Sequence, residues 1–199
     1  TTNAHFTAVF DEEQQEEVEL RIARYAKAVG VAIAPSIKPL EDTNWAEQAA
    51  RDFPPMRIGR FFVAGSHYDG VVPDNTIRLV IDASAAFGTG EHETTEGCLR
   101  MLETLHRQRK FTRLMDMGCG TAILAAGMYA LWRKDVLAVD NDPVAVKVAR
   151  VQMRQNRMNR HVRCEVGNGY MHRLVKTSAP HDLIVANILA RPLTKMAHS

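Results

Sequence analysis

The sequence predicts an α/β fold in which a parallel sheet is wrapped by helices on both faces, and three features predict it. From Thr94 onward, strand-like and helix-like segments alternate; the turn Asp116-Met117-Gly118-Cys119-Gly120 joins one strand to the next helix; and Asp140 closes the strand after that. Strands separated by whole helices must run parallel, because only a crossover of that length returns the chain to the same end of the sheet. Ligands then bind at the carboxyl ends of the strands, so the loops after them carry the chemistry.

The alternation is read off in order. A helix runs to about His106, followed by a strand over Arg113–Met117, a helix over Ala122–Trp132, a strand over Val136–Asp140 and a helix over Pro143–Asn156. Two further strands are expected over Val162–Val166 and Asp182–Ala186, with a helix after them. Asp142 stands where an N-cap belongs, with Pro143 at the first helical position. Earlier in the chain, Val18, Ile22, Tyr25, Ala26 and Val29 recur at helical spacing before Gly30, a helix stop, and Phe6–Phe10 reads as a strand. One strand and one helix bury no core alone, so this start reads as a partial α+β unit. Pro35, Pro39, Pro54 and Pro55 disfavour regular helix between Ala34 and Ala64, with strands expected at Arg60–Ala64 and Ile77–Ile81. The expected organisation is a unit over 1–33, a linker over 34–58 and the main domain over 59–199.

A chain of 199 residues with a formal net charge of +2 is an ordinary globular composition, too mildly basic to imply nucleic-acid binding unless its cations cluster. The three cysteines, Cys98, Cys119 and Cys164, lack the paired spacing of a zinc site or a disulfide framework, which fits a reducing compartment. Thr1 to Glu19 is acidic and shows no export signal, and no stretch approaches the roughly 20 apolar residues of a membrane span. A cytoplasmic location is expected.

In the glycine turn, missing side chains let main chain approach a ligand closely. A dinucleotide fingerprint starting at Gly118 needs a small residue at position 123, where Ile123 stands, which counts against NAD and FAD. With Ala122 in the last place, the G-x-G-x-G arrangement is that of class I methyltransferases, whose ligand carries a carboxylate and an amine, and a helix N-terminus favours the carboxylate. Asp140 is placed to accept hydrogen bonds from both ribose hydroxyls of an adenosine.

Upstream lies Phe87-Gly88-Thr89-Gly90-Glu91-His92-Glu93-Thr94-Thr95, and downstream Ala186-Asn187-Ile188-Leu189-Ala190. FGTG-x-H-x-TT, D-x-G-x-G, the acidic strand end and ANILA, in that order, together with DTNW and FPPMRIGRF, resemble the ribosomal protein L11 methyltransferase family from about Asp42 to Pro192. The resemblance implies a class I, Rossmann-like, S-adenosylmethionine-dependent methyltransferase domain preceded by a substrate-recognition domain. It implies methylation of lysine side-chain and N-terminal amines of ribosomal protein L11. It also puts the cofactor contacts on Thr95, Gly118, Asp140 and Asn187, to which the turn adds Gly120. Asn187, beside the transferring methyl, is the expected catalytic residue and is placed to orient the incoming amine. Phe87 is the expected aromatic cover for the positively charged sulfonium. The family's sheet continues beyond Ser199, so the sheet here is expected to stop after its fourth or fifth strand with one edge bare.

His92-Glu93-Thr94-Thr95-Glu96 lacks the second histidine of a metalloprotease helix, so no metal is expected. Asn168 stands where an acid often meets adenine. Lys147, Arg150, Arg154 and Arg157 recur at helical spacing, with Arg160 and Arg163 beyond; a solvated helix face explains them, while a phosphate-tracking stripe would make direct RNA contact possible. The alternatives are therefore an RNA or small-amine N-methyltransferase and a non-catalytic cofactor-binding module.

Overall fold

The computed structural model describes residues 15–30, 54–82 and 92–196. The chain divides into two compact units, Thr1–Thr43 and Asn44–Ser199. In the first, helix α1 spans Gln15–Val29, with Glu16 and Glu17 in its first turn and Lys27 in its last, the polarity a helix dipole favours. Val18, Ile22 and Ala26 form its half-buried stripe, whereas Tyr25, expected on that face, is exposed. Gly30 ends the helix at φ +67°, a conformation open to glycine at little cost. The strand expected over Phe6–Phe10 and most of the 34–58 segment lie outside the described residues.

The second unit holds two sheets on one core. Strands β1 (Met56–Ile58), β2 (Phe61–Ala64) and β3 (Ile77–Val80) form the smaller one, with β1 antiparallel and β3 parallel to β2. β1 lies within the stretch read as linker. Pro54 and Pro55 precede this strand, so they remove no ladder hydrogen bond and leave Met56 free to pair with Val63. The β1–β2 turn has Gly59 at φ +56°, where a β-carbon would collide with the Glu103 carboxylate, which accepts the Arg60 N–H at 3.1 Å.

The larger sheet is built from β4 (Leu114–Met117), β5 (Val136–Asp140), β6 (Val162–Val166) and β7 (Leu183–Val185), all parallel, in the order β6-β5-β4-β7. Helices α2 (His92–Gln108), α3 (Ile123–Trp132), α4 (Pro143–Gln155), α5 (Arg173–Ser178) and α6 (Ala190–Met196) alternate with them. This is the α/β Rossmann-like fold expected, four strands wide among the described residues. The short helix α5 and the 3-10 turn Gly169–Met171 carry no long apolar repeat, which is why periodicity passes them over.

Alternation along the strands divides the core. Leu114, Val136, Ala138, Val162 and Cys164 face α3, α4 and the small sheet, joining Phe61, Leu79, Leu99 and Met128 in one cluster. Met115, Met117 and Val139 point to the other face, where Val175 of α5 covers them. α3 is buried almost all round, as a helix between two layers must be. No helix among the described residues is long and apolar enough to cross a membrane.

Candidate functional site

In the order β6-β5-β4-β7, the chain first builds outward from β4 and then returns to its other side with β7. The crevice between β4 and β7 is thus the point where crossovers leave in opposite directions, the place where open α/β sheets bind ligands. The glycine turn follows β4 and Asn187 follows β7, so the two motifs meet because of the topology.

The turn is held by its neighbours. The Val139 carbonyl accepts the N–H groups of Gly118 and Cys119 at 2.7 and 3.1 Å, and buried Asp116 accepts the Ala125 N–H at 2.9 Å. Gly118 at φ +71° and Gly120 at φ +51° are left-handed, and so is Ala122 at φ +62°. An alanine there costs about 1–2 kcal/mol relative to glycine's freedom, offset in part by burial of its methyl. A β-carbon on Gly118 would overlap the Ile188 methyl, whereas the space above Gly120 is open.

Asp140 braces the same turn. One carboxylate oxygen accepts the Gly120 N–H at 2.8 Å and the other the Asp142 N–H at 3.0 Å. A carboxylate offers about four acceptor positions, so two remain for hydroxyl donors. Asp142 caps α4 through the Val144 N–H at 2.8 Å, with Pro143 at the helix start, as read from the sequence.

Across the crevice, Asn187 Nδ2 donates to the hydroxyls of Thr94 and Thr95 at 3.3 and 3.2 Å. Thr95 is buried and Asn187 partly so. Contacts therefore run from Thr95 to Asn187, through its neighbour Ile188 onto Gly118, and through the turn from Gly120 to Asp140. Five of the six expected residues lie along this path. The sixth, Phe87, lies outside the described residues. Asn168 caps the 3-10 turn without a side-chain hydrogen bond.

Three participants had no assigned role. Ile188 sits inside the ANILA motif but acts by shape, which a motif does not report. Thr94 is the neighbour of an expected contact. Asp116 opens D-x-G-x-G, and burial pushes its carboxyl up to about 7, helped by the nearby Asp140 charge and opposed by the Ala125 N–H. Its Oδ1 and the Thr121 hydroxyl are buried beneath the turn with no hydrogen-bond partner. Burial also raises the thiols of Cys119 and Cys164, the latter to about 11, so neither is a nucleophile at neutral pH.

These residues fit a nucleoside bearing an amino-acid tail. Left-handed main chain with open space above Gly120 admits the tail, α3 begins where a carboxylate is favoured, and Asp140 retains capacity for sugar hydroxyls.

Comparison with known proteins gives one answer. The family described as ribosomal protein L11 methyltransferase (PrmA) matches residues 1–199. The protein named ribosomal protein L11 methyltransferase from Rhizobium rhizogenes is 38% identical over 93% of this chain and 63% of its own length. That of a Caulobacter species is 42% identical over 79% of this chain and 54% of its own. The chain thus spans roughly three fifths of the curated relatives it matches. The crystal structure of a ribosomal protein L11 methylase from Lactobacillus delbrueckii subsp. bulgaricus superposes with a TM-score of 0.62 at 23% identity, covering 72% of this chain and 70% of that one, which establishes the shared fold.

Proposed function

Because this chain belongs to the ribosomal protein L11 methyltransferase family along its whole length, we propose that it moves methyl groups from S-adenosylmethionine to lysine side-chain and N-terminal amines of ribosomal protein L11. The observation that carries the reading is the convergence of Asn187, Thr95, the glycine turn and Asp140 on one crevice. A cytoplasmic setting follows from that substrate.

The cofactor supplies an electrophilic methyl on a sulfonium. Gly118, Gly120 and the start of α3 would hold its amino-acid tail, and Asp140 its sugar. Thr95 accepts a hydrogen bond from the Asn187 amide nitrogen, which fixes the side chain and leaves the amide oxygen as an acceptor for the N–H of an incoming amine. Methyl transfer is an in-line displacement, so holding the amine on that line supplies much of the rate, and a neutral amine is the reactive form. A dry crevice lowers a lysine pKa in the needed direction. Phe87 is assigned to cover the sulfonium, and 59–199, together with β1 that pairs with β2, to the catalytic domain.

Calorimetry with S-adenosylmethionine, followed by incubation of radiolabelled cofactor with purified L11, ribosomal RNA and free amines, tests the reading. Label on L11 that disappears with Asn187→Ala supports it. Label on RNA or free amines alone overturns the substrate, and cofactor binding without any transfer leaves a binding module.

A further inference from the structure

The other end of the parallel sheet holds a cavity that methyl transfer does not use. It measures about 410 Å³, within the range of small-ligand sites, and opens where β4, β5 and β6 begin. Its lining includes apolar Leu114, Val136 and Leu137, the cations Arg113, Arg160 and Arg163, and hydroxyls of Thr112, Thr177 and Ser178, which donate to Asp182 and to the Leu174 carbonyl and keep lone pairs as acceptors.

The charge there is unbalanced. Arg163 is paired with Glu165 at 2.7 Å, but Arg113 and Arg160 form no ion pair among the described residues. The only carboxylate in the lining among the described residues, Asp135, is bonded to His161 Nδ1 at 2.9 Å. Neighbouring Asp182 accepts the N–H groups of Thr112 and Arg113 and feels the Arg113 charge without forming an ion pair with it, so Arg160 is the less compensated of the two cations. Exposed Arg133 and Lys134 lead directly into this rim. The basic stripe noted in the sequence thus divides: Arg150 is tied to Glu165 and the Cys164 carbonyl, whereas Arg160 reaches the cavity beside Arg113, 47 positions earlier in the chain.

A flat stack ends at the same cavity. The Arg133 guanidinium lies 5.5 Å from the Tyr129 ring centroid, and Tyr129 stacks on His161 at 4.7 Å with 10° between planes. His161 lines the cavity and is half exposed, so the stack ends at the cavity and not in the core. Guanidinium groups outside any ion pair among the described residues for phosphates, hydroxyl lone pairs for a ribose and a stack that ends at half-exposed His161 for a base are the three elements of single-stranded RNA recognition. An acidic peptide would use only the first.

We propose that this basic cavity, at the pole opposite the methyl-transfer crevice, binds a single strand of RNA, with one nucleotide seated against His161 and its phosphates held by Arg113 and Arg160. The proposal is independent of the methyl acceptor.

Fluorescence anisotropy of the full chain with a labelled RNA of about 12 nucleotides, over about 50–300 mM KCl, tests it. Saturable binding that weakens steeply with salt is expected. Arg113→Gln with Arg160→Gln should weaken it about tenfold and lower the salt slope by about one per arginine. His161→Ala should weaken it about fivefold or more with the slope unchanged, since stacking releases no counterions. S-adenosylmethionine binding, read by calorimetry, reports that each variant is folded. Three results overturn the proposal: no RNA binding by the parent, RNA affinity indifferent to the arginine pair, or an acidic peptide bound as tightly as RNA with no effect of His161→Ala.

Discussion

Asp140 has two duties, and separating them shows what a single residue contributes. Its oxygens fix the Gly120 and Asp142 N–H groups while keeping acceptor capacity toward the crevice. Asp140→Ala is expected to lower S-adenosylmethionine affinity at least about tenfold and stability by about 2 kcal/mol, read by calorimetry and urea unfolding. Gly118 is constrained by its own φ and by the Ile188 methyl above it. Gly118→Ala should cost more than about 2 kcal/mol; adding Ile188→Ala relieves the overlap but not the left-handed backbone, so a double-mutant cycle should show partial rescue. Asp140, Gly118 and Gly120 were legible in the sequence because their constraints are local, a turn and a fixed spacing. Ile188 was not, because its role exists only once β7 lies beside β4.

At the scale of elements, β3 shows how an unpaired strand edge is satisfied. Asn156, just past α4, accepts the Val80 N–H at 2.8 Å and donates to the Val80 carbonyl at 2.7 Å. Gln152, one turn earlier, does the same for Asp82 at 3.2 and 3.3 Å. Two amide side chains thus stand in for a missing strand. Asn156→Ala strands both Val80 groups in a partly buried place and is expected to lose about 2–3 kcal/mol, measured by urea unfolding, while Asn159→Ala, exposed nearby, should be close to neutral. Such pairings across 70 or more positions have no sequence signature. The strands and long helices do: β5 and β6 fall at the bounds read from the sequence, and α4 ends one residue short, because their alternation and caps are written locally.

For the whole molecule, buried Asp116 links stability to pH. Its carboxyl titrates near 7 in the folded chain against 3.8 in the reference state, so between these values the folded form holds a proton that the unfolded form lacks. Its contribution is therefore fully present below about 4 and is lost as pH rises to about 7, above which the curve is flat. Urea unfolding of the parent and Asp116→Asn between pH 4 and 8 isolates this: the parent should lose stability relative to the variant by several kcal/mol across that window. A difference that stays constant, or grows in the parent's favour, would show that Asp116 is ionised throughout. Burial of this aspartate follows from its inward position on a central strand, readable from alternation; its lack of a second partner is not.

The clasp between the starts of β4 and β7 has a use in following assembly. Asp182 holds the N–H groups of Thr112 and Arg113, both exposed residues, from 70 and 69 positions away. Nothing local shelters those two amide protons, so slow deuterium uptake there signals that β7 has docked against β4 in register, before any ligand is added.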